Sequence, residues 1–411
     1  MRTTFVFIAV SVSLFFSTPV VAQSPASGSA PDTRARTVTA PRADDAQPAA
    51  VPARVAADTQ DKTAPTARQL SPAGIKARIA EAERLFKSRP RPTSLTTSAL
   101  DVVTVALLDR STSRIHLLTL SKQTFLTKNA ELLSTTSLGT PVTLRVLRAN
   151  GVNTAVTVVT SAGTSLIPLV IEYPIERAGR FLEMAYYTSA HPALLSPDVV
   201  KAGQSYVRSM IDLAAKRLRE KGTIISPNIV DVAEHLCLVE HVDHERFRNE
   251  NRKALFDEIY SLYSLNELET YRYSVSTAGA GGMVQMIPWA YNLERQRHPG
   301  VGLIPDFVTG MRNHANALQA MLLYLQDTWN DLAAKEDIRY ALDAKIATST
   351  ELLAAGYNSN AAKLPLYLRR GGIGWRTLIP RETQMYLQIY RSVEGLIPMK
   401  SRADAAPAAA K

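Results

Sequence analysis

The spacing of apolar residues changes near Pro174, and that change limits the chain to a fold with two kinds of core. Before it, Val102–Leu108, Ile115–Leu120, Val142–Leu147, Ala155–Val159 and Leu166–Ile171 are short and rich in β-branched residues, which predicts strands. Asn150-Gly151 lies between two of them, the pair a tight hairpin favours. After Pro174 the apolar residues recur at helical spacing. Ser196-Pro197 and Ser226-Pro227 each offer an N-cap and a proline at the first helical position. The first start leads into Val200, Tyr206, Val207, Met210, Ile211, Ala214 and Leu218, with Gly222 as the stop. The second carries Ile229, Val232, Ala233, Leu236 and Val239 on its apolar side and reaches Glu240. Further helices are expected over Arg252–Leu265 and, at greater length, Met311–Ala334. The expected fold class is α+β. A small β-rich module over residues 73–175 precedes a mainly α-helical domain over residues 176–395.

The two ends are expected to stay outside that fold. Residues 1–22 have the order of a secretory signal: Arg2, an apolar run from Phe5 to Phe16, then the small residues around Val21-Ala22. The run is short for a membrane span, so export without stable membrane insertion after cleavage is expected, to the periplasm or beyond. Residues 23–72 are rich in Ala, Pro, Ser and Thr and nearly free of large apolar side chains, which predicts a disordered tether. Residues 396–411, with an Ala-Ala-Pro-Ala-Ala-Ala run, predict a disordered tail. One cysteine, Cys237, excludes an intramolecular disulfide. Lys plus Arg outnumber Asp plus Glu by 47 to 37. This modest, scattered excess suits an anionic polymer or surface; no nucleic-acid partner is expected.

The densest set of reactive side chains is His235, Cys237, Glu240, His241, Asp243 and His244. All are metal-ligand types, and a metal-dependent hydrolase is one class to weigh. The spacing has no His-Glu-x-x-His and no paired cysteines, so neither a metal nor another cofactor is expected. His116 reads as a strand residue without chemistry. Glu240 differs from its neighbours because it directly follows Leu238-Val239 at a helix end. A carboxyl group half-inserted into an apolar wall prefers its neutral form, as a general acid must at neutral pH. The bland alternative is a solvated helix-end glutamate.

Three later motifs complete the pattern. Ser276-Thr-Ala-Gly279-Ala280-Gly-Gly282-Met283-Val284-Gln285 is glycine-rich but lacks the Lys-Ser/Thr of a phosphate loop. Gly356-Tyr357-Asn358 sets an aromatic beside an amide, and Glu382-Thr383-Gln384-Met385-Tyr386 follows. In this order they resemble the soluble lytic transglycosylase family, a lysozyme-like group that cleaves peptidoglycan. Asn316-Ala-Leu-Gln-Ala320 with Tyr324-Leu325 looks like the helix between that family's second and third motifs. The resemblance covers roughly Ser226 to Val393.

The resemblance implies that the helical domain is lysozyme-like. It also implies cleavage of the β-1,4 bond between N-acetylmuramic acid and N-acetylglucosamine, leaving 1,6-anhydromuramoyl ends. Glu240 would be the single catalytic acid, and Met283, Gln285, Tyr357, Asn358 and Tyr386 would bind the glycan strand. Glu382 and Thr383 would hold the fold. No cofactor is implied. Two departures matter. His241 follows Glu240 where the family has Ser, and the gap from Glu240 to Gln285 is long, which leaves Glu267 and Glu269 as rival acids. The same departures motivate a second expectation, a catalytically impaired peptidoglycan-binding or scaffolding protein of an envelope assembly. Its envelope partner would dock through the β-rich module.

Overall fold

The computed structural model describes residues 70–89, 100–177, 179–189, 191–268, 270 and 278–402. The expected signal segment and nearly all of the expected tether lie outside the described residues, as do Glu269 and Ser276. Both helices and an antiparallel sheet are present, an α+β fold.

A helix absent from the expected elements opens the described chain. Helix α1 (Pro72–Ser88) starts where the Ser71 hydroxyl accepts from Gly74 N–H and Pro72 occupies the first turn. The strands β1 (Val102–Asp109) and β2 (Arg114–Ser121) follow, then a single helical turn α2 (Lys122–Phe125). Next come β3 (Glu131–Thr135), β4 (Pro141–Arg148), β5 (Ala155–Thr160), β6 (Ser165–Arg177) and β7 (Arg180–Tyr187). The sheet order is β2-β1-β6-β5-β4-β3, with β7 on β6. The alternation of side chains sorts β1 between two faces. Val103, Val105 and Leu107 enter the core within the curled sheet, while Ala106 and Leu108 meet Ile75, Ile79 and Phe86 of α1 on the other side. All five expected strands are present, and Gly151 adopts φ 51° in the turn between β4 and β5.

The other two strands were not expected. β3 is an edge strand with no fully buried residue, so it lacks an apolar alternation, and β7 interrupts its own with Glu183 and Met184. The boundary expected at residue 175 falls inside β6, and the sheet runs on to Tyr187.

The helical part begins with α3 (Pro197–Glu220), capped by the Ser196 side chain at Val199 N–H and ended at Gly222 (φ 82°). It continues through α4 (Pro227–Val239), the short α5 (His244–Asn249) and α6 (Arg252–Leu265). Then follow α7 (Pro288–Arg297), α8 (Phe307–Arg312), α9 (His314–Ala333), α10 (Glu336–Asp343), α11 (Ser349–Asn358), α12 (Leu364–Gly371) and α13 (Arg381–Leu396). The single helix expected over Met311–Ala334 is broken at Asn313, whose side chain accepts from Asn316 N–H at 3.0 Å and starts α9 afresh. α9 is buried along its first half and packs against α3, α4, α7, α8, α10 and α11. Where α3 crosses α6, a Cβ on Gly203 would lie 1.9 Å from the Tyr260 carbonyl oxygen, so only glycine permits this approach.

Sheet and helices form one compact unit. Leu262 of α6 contributes to the sheet's core. The Asn266 side chain accepts from Thr188 N–H and donates to Thr188 C=O, both at 2.9 Å. Arg148 of β4 pairs with Glu258 of α6 at 2.9 Å. The tail expected to be disordered from residue 396 is ordered through Arg402. Ile397 is buried, and the Arg402 guanidinium meets Asp212, Asp231 and Glu234 at 2.7, 2.8 and 2.6 Å. Three carboxylates around one guanidinium outweigh the weak local preferences of that segment. Among the described residues, no helix is long and apolar enough to cross a membrane.

Candidate active site

Glu240 is the residue that caps α4. Cys237, Leu238 and Val239 ahead of it are buried, and its own backbone is still helical (φ −62°, ψ −16°). The carboxyl group leaves the helix at its negative end, where the last carbonyls disfavour a second negative charge. α4 packs against α11 and α13, and those two helices supply tyrosines to the same place. The Tyr386 hydroxyl of α13 donates to Glu240 Oε1 at 2.5 Å. Burial pushes the Glu240 carboxyl up to about 8; the Tyr386 hydrogen bond pulls it down and the charge of Glu382 pushes it up. Burial, together with the Glu240 charge, holds both Tyr357 and Tyr386 far above the usual phenol range, so both keep their protons.

The glycine-rich motif ends in a tight loop against this group. Gly281 N–H donates to Met286 C=O at 3.1 Å and closes it. Gly282 has φ 71°, and a Cβ there would stand 2.5 Å from the Met311 carbonyl oxygen. Gln285 is also left-handed at φ 48°, a conformation that costs a non-glycine residue roughly 1–2 kcal/mol. Three side chains hold the loop. Tyr357 donates its hydroxyl to Val284 C=O at 2.7 Å, His241 Nε2 lies 2.9 Å from Met283 C=O, and Tyr263 reaches Met283 C=O at 3.2 Å and Cys237 C=O at 2.7 Å. A carbonyl only accepts, so His241 carries its proton on Nε2.

The residues picked from sequence divide accordingly. Glu240, Tyr357, Tyr386 and the Met283–Gln285 loop come together. Gln285 is half-buried and donates from Nε2 to Gly282 C=O at 2.8 Å. Met283, expected to touch substrate, is instead a core residue whose side chain is fully buried; its carbonyl is the part the site uses. Asn358 is half-buried at the last position of α11. The rival Glu267 is committed elsewhere, in an ion pair with Lys76 of α1 at 2.5 Å. Thr383 is buried, as a residue that holds the fold should be, but Glu382 is exposed and acts on the site through its charge. Burial lowers the His244 pKa, against the opposing pull of Glu382.

Tyr263 and His241 clamp the loop although neither was expected to. The signal for Tyr263 was its place on the inserted helix α6, and for His241 its replacement of the expected serine. His235 is engaged by Asp231 C=O at 2.8 Å. Among the described residues, none of the histidines from 235 to 244 belongs to a convergent group of three metal-ligand side chains. No protein family, curated protein or solved structure matches the chain.

Proposed function

We propose that the protein is an exported peptidoglycan lytic transglycosylase, that its helical part is lysozyme-like, and that Glu240 is its acid. The observation that carries this reading is the buried Glu240 carboxyl group, pushed up to about 8, which Tyr386 hydrogen-bonds beside a glutamine loop that Tyr357 braces. In the first half of the reaction Glu240 gives its proton to the bridging oxygen as the C1–O bond breaks, assisted by the N-acetyl group of the muramic acid. In the second half the Glu240 carboxylate takes the proton of the C6 hydroxyl as O6 bonds to C1. No water is consumed, the acid is restored, and the product carries a 1,6-anhydro end. Attack from within the sugar gains from proximity. The Tyr386 hydrogen bond favours the carboxylate that exists between the two halves. Gln285, Tyr357 and Asn358 would line the path of the glycan strand.

The test is incubation of the purified protein with peptidoglycan and mass spectrometry of the soluble products. Anhydro-muropeptides are expected from the wild type and not from Glu240→Gln. Glycan binding with no anhydro product from the wild type would instead fit a scaffolding protein.

A further inference from the structure

Outside the Glu240 group, Glu294 of α7 is completely buried, and neither of its carboxyl oxygens has a hydrogen-bond partner. A buried carboxyl group in that state must be neutralised by a proton or by a cation. Its surroundings offer ligands for a cation. His298, one turn later at the end of α7, brings Nε2 to 3.6 Å from Glu294 Oε2. Asp327 of α9 brings Oδ2 to 3.0 Å from the same Nε2. Two donors bound tetrahedrally to one zinc-sized ion at about 2.0–2.1 Å stand about 3.3 Å apart; the two separations to His298 Nε2 bracket that value, the shorter being a hydrogen bond that the ion would replace. The three donor atoms all lie within 4.8 Å of one another.

The geometry points to a divalent transition-metal site made by Glu294, His298 and Asp327, with zinc as the best-fitting ion. An imidazole with two carboxylates suits zinc or manganese better than magnesium or calcium, which favour oxygen donors throughout. Three protein ligands leave one coordination position for water. His298 and Asp327 are partly exposed and give the ion a way in. Arg297, with Nη1 at 3.9 Å from Glu294 and 3.4 Å from Asp327, is the cation that an incoming metal would displace, and its exposed side chain can swing away. The site would brace α7 to α9. It is linked to the Glu240 group by one ring contact: Tyr324, three residues before Asp327 on α9, meets the Tyr357 ring edge-on at a centroid distance of 5.7 Å.

The test is calorimetric titration of the chelator-stripped full chain with zinc chloride, paired with thermal melts. The wild type should take up one equivalent and melt at a higher temperature with zinc than without. Glu294→Gln and Asp327→Asn should each weaken binding about 100-fold or more and abolish the zinc-dependent shift. Glu294→Gln is isosteric and Asp327→Asn is partly exposed, so a folding defect in one leaves the other to decide. No uptake by the wild type, or equal affinity in both variants, would overturn the site and leave Glu294 as a protonated core residue.

Discussion

Tyr386 and Glu240 stand 146 positions apart in sequence, and their oxygen atoms lie 2.5 Å apart. The contact joins the end of α4 to the first half of α13 and sets the balance of the proposed acid. Burial favours its protonated form, and the phenol favours its anion.

Removing the phenol should therefore raise the Glu240 pKa further. In Tyr386→Phe the alkaline limb of the pH–rate profile should move above the wild-type position near pH 8. A hydrogen bond to a charged group contributes about 1.5–3 kcal/mol, so turnover at neutral pH should fall by about 10- to 100-fold as the intermediate carboxylate loses its donor. The measurement is release of anhydro-muropeptides as a function of pH. An unmoved limb would show that the phenol does not act on the acid.

Glu240→Gln should separate catalysis from stability. Activity should drop by about 1,000-fold, within the range general acid–base groups supply. Stability should change in the opposite direction. The folded-state pKa, about 8, lies above the ordinary value of 4.5. Between those values the unfolded chain has lost a proton that the folded chain keeps, so this group's contribution is complete at acidic pH and disappears as pH rises through the interval. The variant has no such loss. Its melting temperature should match the wild type near pH 4 and exceed it at pH 8, by scanning calorimetry. A difference that does not change with pH would contradict the assigned burial.

Tyr263→Phe probes the loop without touching the acid. It removes the one hydroxyl proton that Cys237 C=O and, at longer range, Met283 C=O share, while His241 still holds the latter. A stability loss of about 1–2 kcal/mol in urea denaturation is expected, with a reduced kcat because Gln285 is less firmly placed. Full activity in a destabilised protein would mean that bracing the loop serves the fold alone.

How much of this was legible follows from the range of each interaction. The starts of α3 and α4 could be read because a first-turn proline acts locally, although of the two serines only Ser196 caps with its side chain, and the inserted helix α6 spans the segment Arg252–Leu265 expected for it. Glu240 could be picked because the apolar run ahead of it is local. Tyr386 and Tyr357 could be chosen only through motif order, since nothing near either residue in the chain points to Glu240. Burial of Met283 could not be read, because an apolar residue beside a candidate glutamine looks the same in sequence whether it lines a binding site or fills a core. Order in the tail rests on Arg402 meeting three acids some 170 to 190 positions earlier, which composition cannot reveal. The same holds for Tyr263 and His241, whose partners are backbone carbonyls brought close by the fold.

Glu258 carries the last prediction because it ties the sheet to the helices beside the site. Arg148 of β4 and Arg246 of α5 both bond its carboxylate, at 2.9 and 2.8 Å. Burial alone would raise its pKa, but the two guanidinium groups outweigh burial and hold it below the usual carboxylate range. A depressed pKa contributes stability that is present above the unfolded-state value and lost as pH falls through the folded one. Glu258→Gln should thus cost about 3 kcal/mol at pH 7, where it leaves Arg148 without its anion and Arg246 with Glu250 alone. The cost should shrink at pH 3, on the acid side of the ordinary carboxylate value of 4.5, because the wild type loses this contribution as pH falls. Urea denaturation at the two pH values measures both numbers. An equal cost at both would mean that packing, not charge, holds β4 to α6.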